Sequence, residues 1–324
     1  MSNGTLPTFF IEADNIPQAH YRATKTVYEG AMQIRTQYDR KNPDGSFLDP
    51  PSRDARVMIH VRNPFNQPRY PMLGFSEIGV YIAEILGIKD ALVIDFGELK
   101  QQLQSGRQPT STFWPYTYHQ RLFSHPFEGK LVDQIERALD RLAQDQISRR
   151  AVATTRLPGI DSLLKEDIPC LSEVHLRCAE QDGVIYLCMT TYWRSRDLFK
   201  AWHDNVIGLT FMQQCLAAQL SAKIGKPVKV GDYAEVNSSL HIYGQDMLQA
   251  AGGTGTAVKH YLDMGEETVV GRAFGSEDAR DLLVVPQLEE LLSDEKIKEW
   301  RFGPGQLAVI GKLIADLKEG KLIA

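Results

Sequence analysis

The chain has 324 residues, of which 43% are hydrophobic and 24% charged, a balance that is ordinary for a globular protein and sufficient to bury a substantial core. A net charge of -5 supplies no global field that would favour nucleic acid or an anionic membrane, so any phosphate site must come from a local cluster of arginines. No run of 18 apolar residues is present, the first residues lack the basic-then-apolar order of a secretory signal, and the cysteines at 170, 178, 188 and 215 fit neither a disulfide framework nor a zinc pair, so the expected compartment is a reducing cytoplasm.

Residues 39–55 are rich in turn formers and predict a loop. RVMIHVR (56–62) alternates as a strand does. MLGFSEIGVYIAEILG (72–87) predicts a buried, mostly apolar helix ending at Gly87. Between 127 and 144 the apolar residues Leu131, Ile135, Leu139 and Leu142 recur with helical period. RRAVATTR (149–156) predicts a strand. VHLRCAE (174–180) and VIYLCMTTYW (184–193) flank Gln181-Asp182-Gly183, a hairpin signal. A long buried helix is expected over 204–223 and a strand over 228–243. AAGGTGT, from 250, predicts a flexible loop that lacks the Gly-Lys-Ser/Thr of a phosphate loop, and helices follow over 285–300 and 303–318. The whole predicts an α+β fold in a single domain, 1–324, since no linker interrupts 56–243.

Cys170 ends the segment DIPC just before a strand. A lone cysteine is more often a packing residue than a nucleophile. Here Arg149-Arg150 lies upstream and Arg194-Ser195-Arg196-Asp197 downstream. Cationic neighbours favour thiolate, and the planar guanidinium fork suits a phosphate. Any single arginine could equally be a surface ion pair. Cys178, Cys188 and Cys215 are expected to be packing residues. His119 and His125 have no matched ligand set, so no metal is expected.

The ordered set SRRA (148–151), IPC (168–170), YWRSRD (192–197), Asn205 and LHIY (240–243) resembles the thymidylate synthase superfamily, including its nucleotide hydroxymethylases. FSEIGVYIAEILG and YHQRL (118–122) resemble that family's glutamate-bearing helix and tyrosine loop. The resemblance covers about 56–243; residues 250–324 diverge. It implies a large mixed sheet packed by helices, with two subunits meeting sheet to sheet. It also implies one-carbon transfer from 5,10-methylenetetrahydrofolate to C5 of a pyrimidine nucleoside 5′-monophosphate through a Cys170–C6 adduct.

Methylation of dUMP to dTMP is the first reading. Hydroxymethylation of dUMP, dCMP or CMP is the alternative, and a non-catalytic nucleotide-binding paralogue is the alternative of another class. By resemblance Arg194 and Ser195 would hold the phosphate, joined by Arg149 and Arg150 from the other subunit and by Arg53. Asn205 would read the base, His241 and Tyr243 would hold the sugar hydroxyl, and Asp197 would bond the pterin. Glu77 would relay protons with a raised pKa in its apolar helix, with Glu84 as a rival, and Tyr118 would stand in the catalytic loop. The pattern is broken by Leu171 where histidine is usual, by Trp193 in place of glutamine, and by Ala201-Trp202 in place of a glycine-rich turn. Asp204 could replace Asn205 after a one-residue slip, and either could be a helix N-cap.

Overall fold

A computed structural model describes residues 4–71, 77–109, 113–247 and 258–324. The glycine-rich stretch expected to be a loop at 250–256, and residues 72–76 of the expected apolar helix, lie outside the described residues. The chain is α+β, with a large mixed sheet packed by helices. Its contacts divide into two units, each gathered from three stretches of sequence. Unit 1 comprises Met1–Ser76, Tyr192–Ile207 and Asp232–Ala279; unit 2 comprises Glu77–Thr191, Gly208–Gly231 and Arg280–Ala324. Among the described residues no helix is long and apolar enough to cross a membrane.

Strand β1 (Thr8–Ala13) leads into α1 (Ile16–Gly30). Asn15 starts that helix by accepting the Gln18 amide at 3.0 Å, and Pro17 sits in the first turn, where a missing amide costs nothing. After β2 (Met32–Ile34) comes β3 (Ser52–Val61), in which Val57, Ile59 and Val61 face the core while Arg56 and Met58 face outward. Helix α2 (Ile78–Ile85) is followed by Gly87, whose φ of +96° suits glycine; a Cβ there would meet the His119 ring at 2.6 Å. Next are α3 (Phe96–Gln104), α4 (Tyr118–Phe123), β4 (His125–Phe127) and β5 (Lys130–Val132).

The helix expected over 127–144 is shorter than its apolar spacing suggested. Glu128 and Gly129 both take positive φ and turn the chain into the β4–β5 hairpin, which leaves Leu131 70% exposed. Helix α5 (Gln134–Gln144) begins only where Asp133 accepts the Glu136 amide at 2.7 Å. Then come β6 (Val152–Thr154), α6 (Pro158–Asp161), β7 (Leu171–Gln181) and β8 (Val184–Trp193). Asp182 and Gly183 join β7 to β8 with φ of 53° and 76°, the backbone that a two-residue hairpin requires.

The remaining strands and helices are β9 (Arg196–Asp197), α7 (Trp202–Ile224), β10 (Val228–Ile242), α8 (Val258–Asp263), α9 (Glu266–Gly271), α10 (Ser276–Ala279), α11 (Val285–Glu290), α12 (Asp294–Glu299) and α13 (Pro304–Lys318). The helix expected over 285–300 is broken in two, because Ser293 turns extended and caps α12.

In unit 1, β1 runs parallel to β3, β10 runs antiparallel to β3, and β9 runs parallel to β10. Helix α1 covers one face of β1 and β3 with Ile16, Ala19, Ala23 and Val27. On the other face Phe10 and Met58 stand side by side, 61% and 41% exposed. In unit 2 the strand order is β8-β7-β6, and α5 buries Ile135, Ala138, Leu139 and Leu142 against β6 and β7. A smaller core of Ile94, Leu99, Leu103, Ile160 and Leu164 lies under α3 and α6.

Candidate active site

In unit 2, Cys170 closes the loop from α6 and immediately precedes β7. The residue is half-buried, with Sγ 4.0 Å from the Ile168 carbonyl oxygen. The next amide, that of Leu171, donates to Tyr118 Oη at 3.4 Å. The tyrosine loop and the cysteine, distant in sequence, are thereby adjacent.

Local structure explains the placement. Thr117 caps α4 by accepting the Gln120 amide at 3.0 Å, and its hydroxyl donates to Asp90, which also takes His119 Nδ1 at 2.7 Å. Arg121 on α4, fully buried, bonds Asp161 at 3.0 Å and the Thr155 carbonyl at 3.2 Å; Asp161 accepts the Leu157 amide at 2.7 Å. This buried ion pair ties α4 to the segment that ends at Cys170.

Arg149 and Arg150 stand exposed between α5 and β6, and neither guanidinium makes a hydrogen bond or ion pair among the described residues. Glu77 requires a correction. It is not inside the apolar helix but caps it, with non-helical backbone and an exposed side chain, so the burial expected of it is absent. Glu84, its rival, lies within α2, is largely buried and is paired with Lys89.

In unit 1, Asp197 of β9 sits directly beside His241 of β10, and the Leu198 amide donates to the His241 carbonyl at 2.9 Å. This pairing joins the RSRD and LHIY segments in one place. Arg194 is exposed and Ser195 half-buried at its edge. His241 is buried, contacts the Tyr243 ring edge-on at 4.7 Å, and lies 3.4 Å from Ser239 Oγ through Nδ1. Its Nε2 is buried without a hydrogen-bond partner among the described residues. Burial pulls its pKa below the ordinary imidazole value; Asp54 opposes this and Arg194 adds to it.

Asp197 Oδ1 accepts the Phe199 and Lys200 amides at 3.1 and 3.2 Å, and burial raises its pKa against those bonds. Arg53 is not brought to His241. It pairs across the sheet with Ile242 while Asp54 pairs with His241, so the register turns Arg53 to the other face. Its Nε is buried and makes no hydrogen bond among the described residues.

Asn205 and Asp204 lie inside the first turn of α7, which starts at Trp202, so neither is its N-cap. Asn205 Oδ1 accepts from Arg196 Nη1 at 3.3 Å. Burial pushes Asp204 up to about 7. Sequence reasoning did not foresee the pairing of Arg196, beside Asn205, with Glu235. Both are fully buried, 3.1 Å apart, and Glu235 also accepts from Trp202 Nε1 at 2.6 Å, Tyr233 at 3.0 Å and Asn237 at 2.8 Å. The Arg196 guanidinium lies over the Trp193 ring at 3.6 Å. One signal was available: Glu235 occupies a charged position between Ala234 and Val236 of a strand, two residues after Tyr233 and two before Asn237, on the face those residues share. Among the described residues no group of three or more His, Cys, Asp or Glu is placed to hold a metal ion.

Residues 105–256 match the family model described as thymidylate synthase. A "putative thymidylate synthase" of Methanocaldococcus jannaschii is 36% identical over 132 residues, 40% of this chain and 55% of that protein. One of Methanosarcina acetivorans, so named too, is 29% identical over 238 residues, 73% of this chain and 90% of that protein. Over residues 105–256 the chain is similar to the thymidylate synthase family. Thermostable thymidylate synthase A of Bacillus subtilis is similar with a TM-score of 0.48 and 16% identity, over 71% of this chain and 80% of that one. The chain thus spans about half the length of the first of these superfamily relatives. The matched stretch contains the Tyr118, Cys170, Arg194–Asp197, Asn205 and His241 segments, whereas Arg53, Glu77 and the C-terminal helices α8–α13 fall outside it.

Proposed function

We propose that the protein transfers one carbon from 5,10-methylenetetrahydrofolate to C5 of a pyrimidine nucleoside 5′-monophosphate, with dUMP to dTMP as the leading reaction. The reading rests on one observation above others: β9 pairs with β10, so that Asp197, Arg194 and His241 share one corner in which His241 Nε2 has no partner among the described residues. A buried ring nitrogen left unbonded is costly unless a ligand group meets it, and a sugar hydroxyl suits it. Arg194 and Ser195, at the edge of that corner, would take the phosphate.

Chemically, the Cys170 thiolate adds to C6, and C5 becomes a carbon nucleophile that attacks the one-carbon unit the folate supplies when bound. Tyr118, whose Oη accepts the Leu171 amide, stands beside the cysteine. Asn205 would read the base edge. Asp197, whose Oδ1 is spent on two backbone amides, would meet the pterin through Oδ2. Glu84 fits a buried proton relay better than the exposed Glu77. A homodimer is part of the proposal: Arg149 and Arg150 are exposed without partners among the described residues, as guanidinium groups given to a second copy would be, and the apolar face around Phe10 and Met58 suits a sheet-to-sheet contact.

The test is to incubate purified protein with methylenetetrahydrofolate and each of dUMP, dCMP and CMP, and to weigh the nucleotide products. A gain of a methyl group with dihydrofolate formed is the methyl route; a gain of hydroxymethyl without dihydrofolate is the hydroxymethylating one. Cys170→Ala should abolish turnover. Wild-type-like behaviour of that variant, or the absence of any nucleotide product, defeats the proposal.

A further inference from the structure

Three consecutive residues of α1 bond the C-terminal part of unit 1. His20 Nδ1 lies 2.8 Å from Tyr261 Oη, Tyr21 donates its O–H to the Leu262 carbonyl at 3.0 Å, and Arg22 Nε donates to both carboxylate oxygens of Glu266 at 3.1 Å. The first of these bonds continues inward. His20 is 0% exposed, and its other nitrogen, Nε2, lies 3.1 Å from the Leu198 carbonyl oxygen. Burial lowers the pKa of the ring to about 4, so it is neutral when folded. A carbonyl can only accept, so Nε2 carries the single ring proton, Nδ1 carries the lone pair, and Tyr261 donates its O–H. Both nitrogens are engaged, which fixes the tautomer and the orientation of the ring.

What the ring holds is the turn that bears Asp197. The Leu198 amide donates to the His241 carbonyl at 2.9 Å, so with His20 on its carbonyl both backbone polar groups of Leu198 are fixed. The next two amides, of Phe199 and Lys200, donate to Asp197 Oδ1 at 3.1 and 3.2 Å, and the carboxylate is oriented by the turn it closes. The Tyr261 ring packs edge-on against His20 and Phe199, with centroids 5.4 and 5.8 Å away, and is fully buried. We infer that His20 and Tyr261 are positioning residues that hold the Asp197 turn and so aim its carboxylate at the folate. Helix α8, which lies beyond the stretch matched to the family model, thereby sets folate affinity through Tyr261. The inference rests on the reading of Asp197 as the pterin ligand.

The test measures kinetics with methylenetetrahydrofolate varied at a saturating level of the preferred nucleotide. Tyr261→Phe deletes only the hydroxyl that faces His20. It should raise the folate KM about 10-fold, the scale of one buried polar group left unpaired, with kcat within about 2-fold and the nucleotide Kd unchanged in calorimetry. His20→Leu should raise the folate KM at least as much. His20→Gln, whose amide offers the same donor and acceptor, should stay within about 3-fold of wild type. A purely supporting role would weaken nucleotide and folate alike or leave both untouched, and either pattern in a Tyr261→Phe protein with wild-type circular dichroism overturns the inference. Amide hydrogen exchange gives a measure free of substrate. In Tyr261→Phe the Phe199 and Lys200 amides should exchange about 10-fold faster or more than in wild type, while that of Ile59, in the middle of β3, keeps its rate. Equal exchange of the Phe199 and Lys200 amides in the two proteins also overturns the inference. A wild-type folate KM in Asp197→Asn, or a wild type without turnover, overturns instead the reading on which it rests.

Discussion

Asp204 has its Oδ1 sealed from solvent without a hydrogen-bond partner among the described residues, although His203 Nε2 lies 3.2 Å away. Burial takes its pKa from 3.8 to about 7. The folded state therefore holds this proton where the unfolded chain has released it. Stability from the group is complete below about pH 4, falls as pH rises toward 7, and stays lost above that. Asp204→Asn should stabilise the protein at pH 8 by up to roughly 4 kcal/mol and change little at pH 4. Urea unfolding of both proteins at the two pH values checks this; an equal difference at each pH would rule it out. The sequence could nominate Asp204 only as a neighbour of Asn205, because the burial that shifts it depends on packing around the first turn of α7.

Helix α4 is short, and what places it is at its ends. Thr117→Ala removes the cap and the bond to Asp90, and should cost about 1 kcal/mol. Asp161→Ala would strand the buried Arg121 guanidinium and should cost about 3–5 kcal/mol, since one member of a buried pair is left uncompensated. Thermal melts measure both. If Asp161→Ala melts within a degree of wild type, the ion pair does not anchor this segment. Much of this layer was legible in the sequence. Asp182-Gly183 announced its hairpin, and the alternation in 56–62 announced β3, because turn chemistry and period-two patterning are local properties. Leu131 misled because its helical spacing from Ile135 was real while the chain at Glu128-Gly129 turned back. The sites divide in the same way. Cys170, Asn205 and His241 were nominated by motif order, whereas of the Arg196–Glu235 pair only Glu235 left a local signal, because the pair joins β9 to a strand far along the chain. Glu77 was misplaced because helix ends are set by backbone geometry that apolar spacing does not record.

At the scale of the molecule, two buried histidines oppose Asp204. Burial lowers His20 to about 4 and His203 to about 3, so both are neutral when folded. The unfolded chain binds their protons near 6.5, and stability from them, present above that value, is lost as pH falls toward 4. In Asp204→Asn the opposing gain is gone, so acid sensitivity between about pH 6.5 and 4 should be steeper than in wild type. Melting temperatures across that interval test it, and parallel profiles would refute it. The Arg196 corner has one more consequence. Two of the four tryptophans, Trp193 and Trp202, are buried against the same guanidinium–carboxylate pair, while Trp114 is exposed. Selective excitation of indole light emission therefore reports on that corner without any label, and a shift of the spectrum to longer wavelength marks water reaching it.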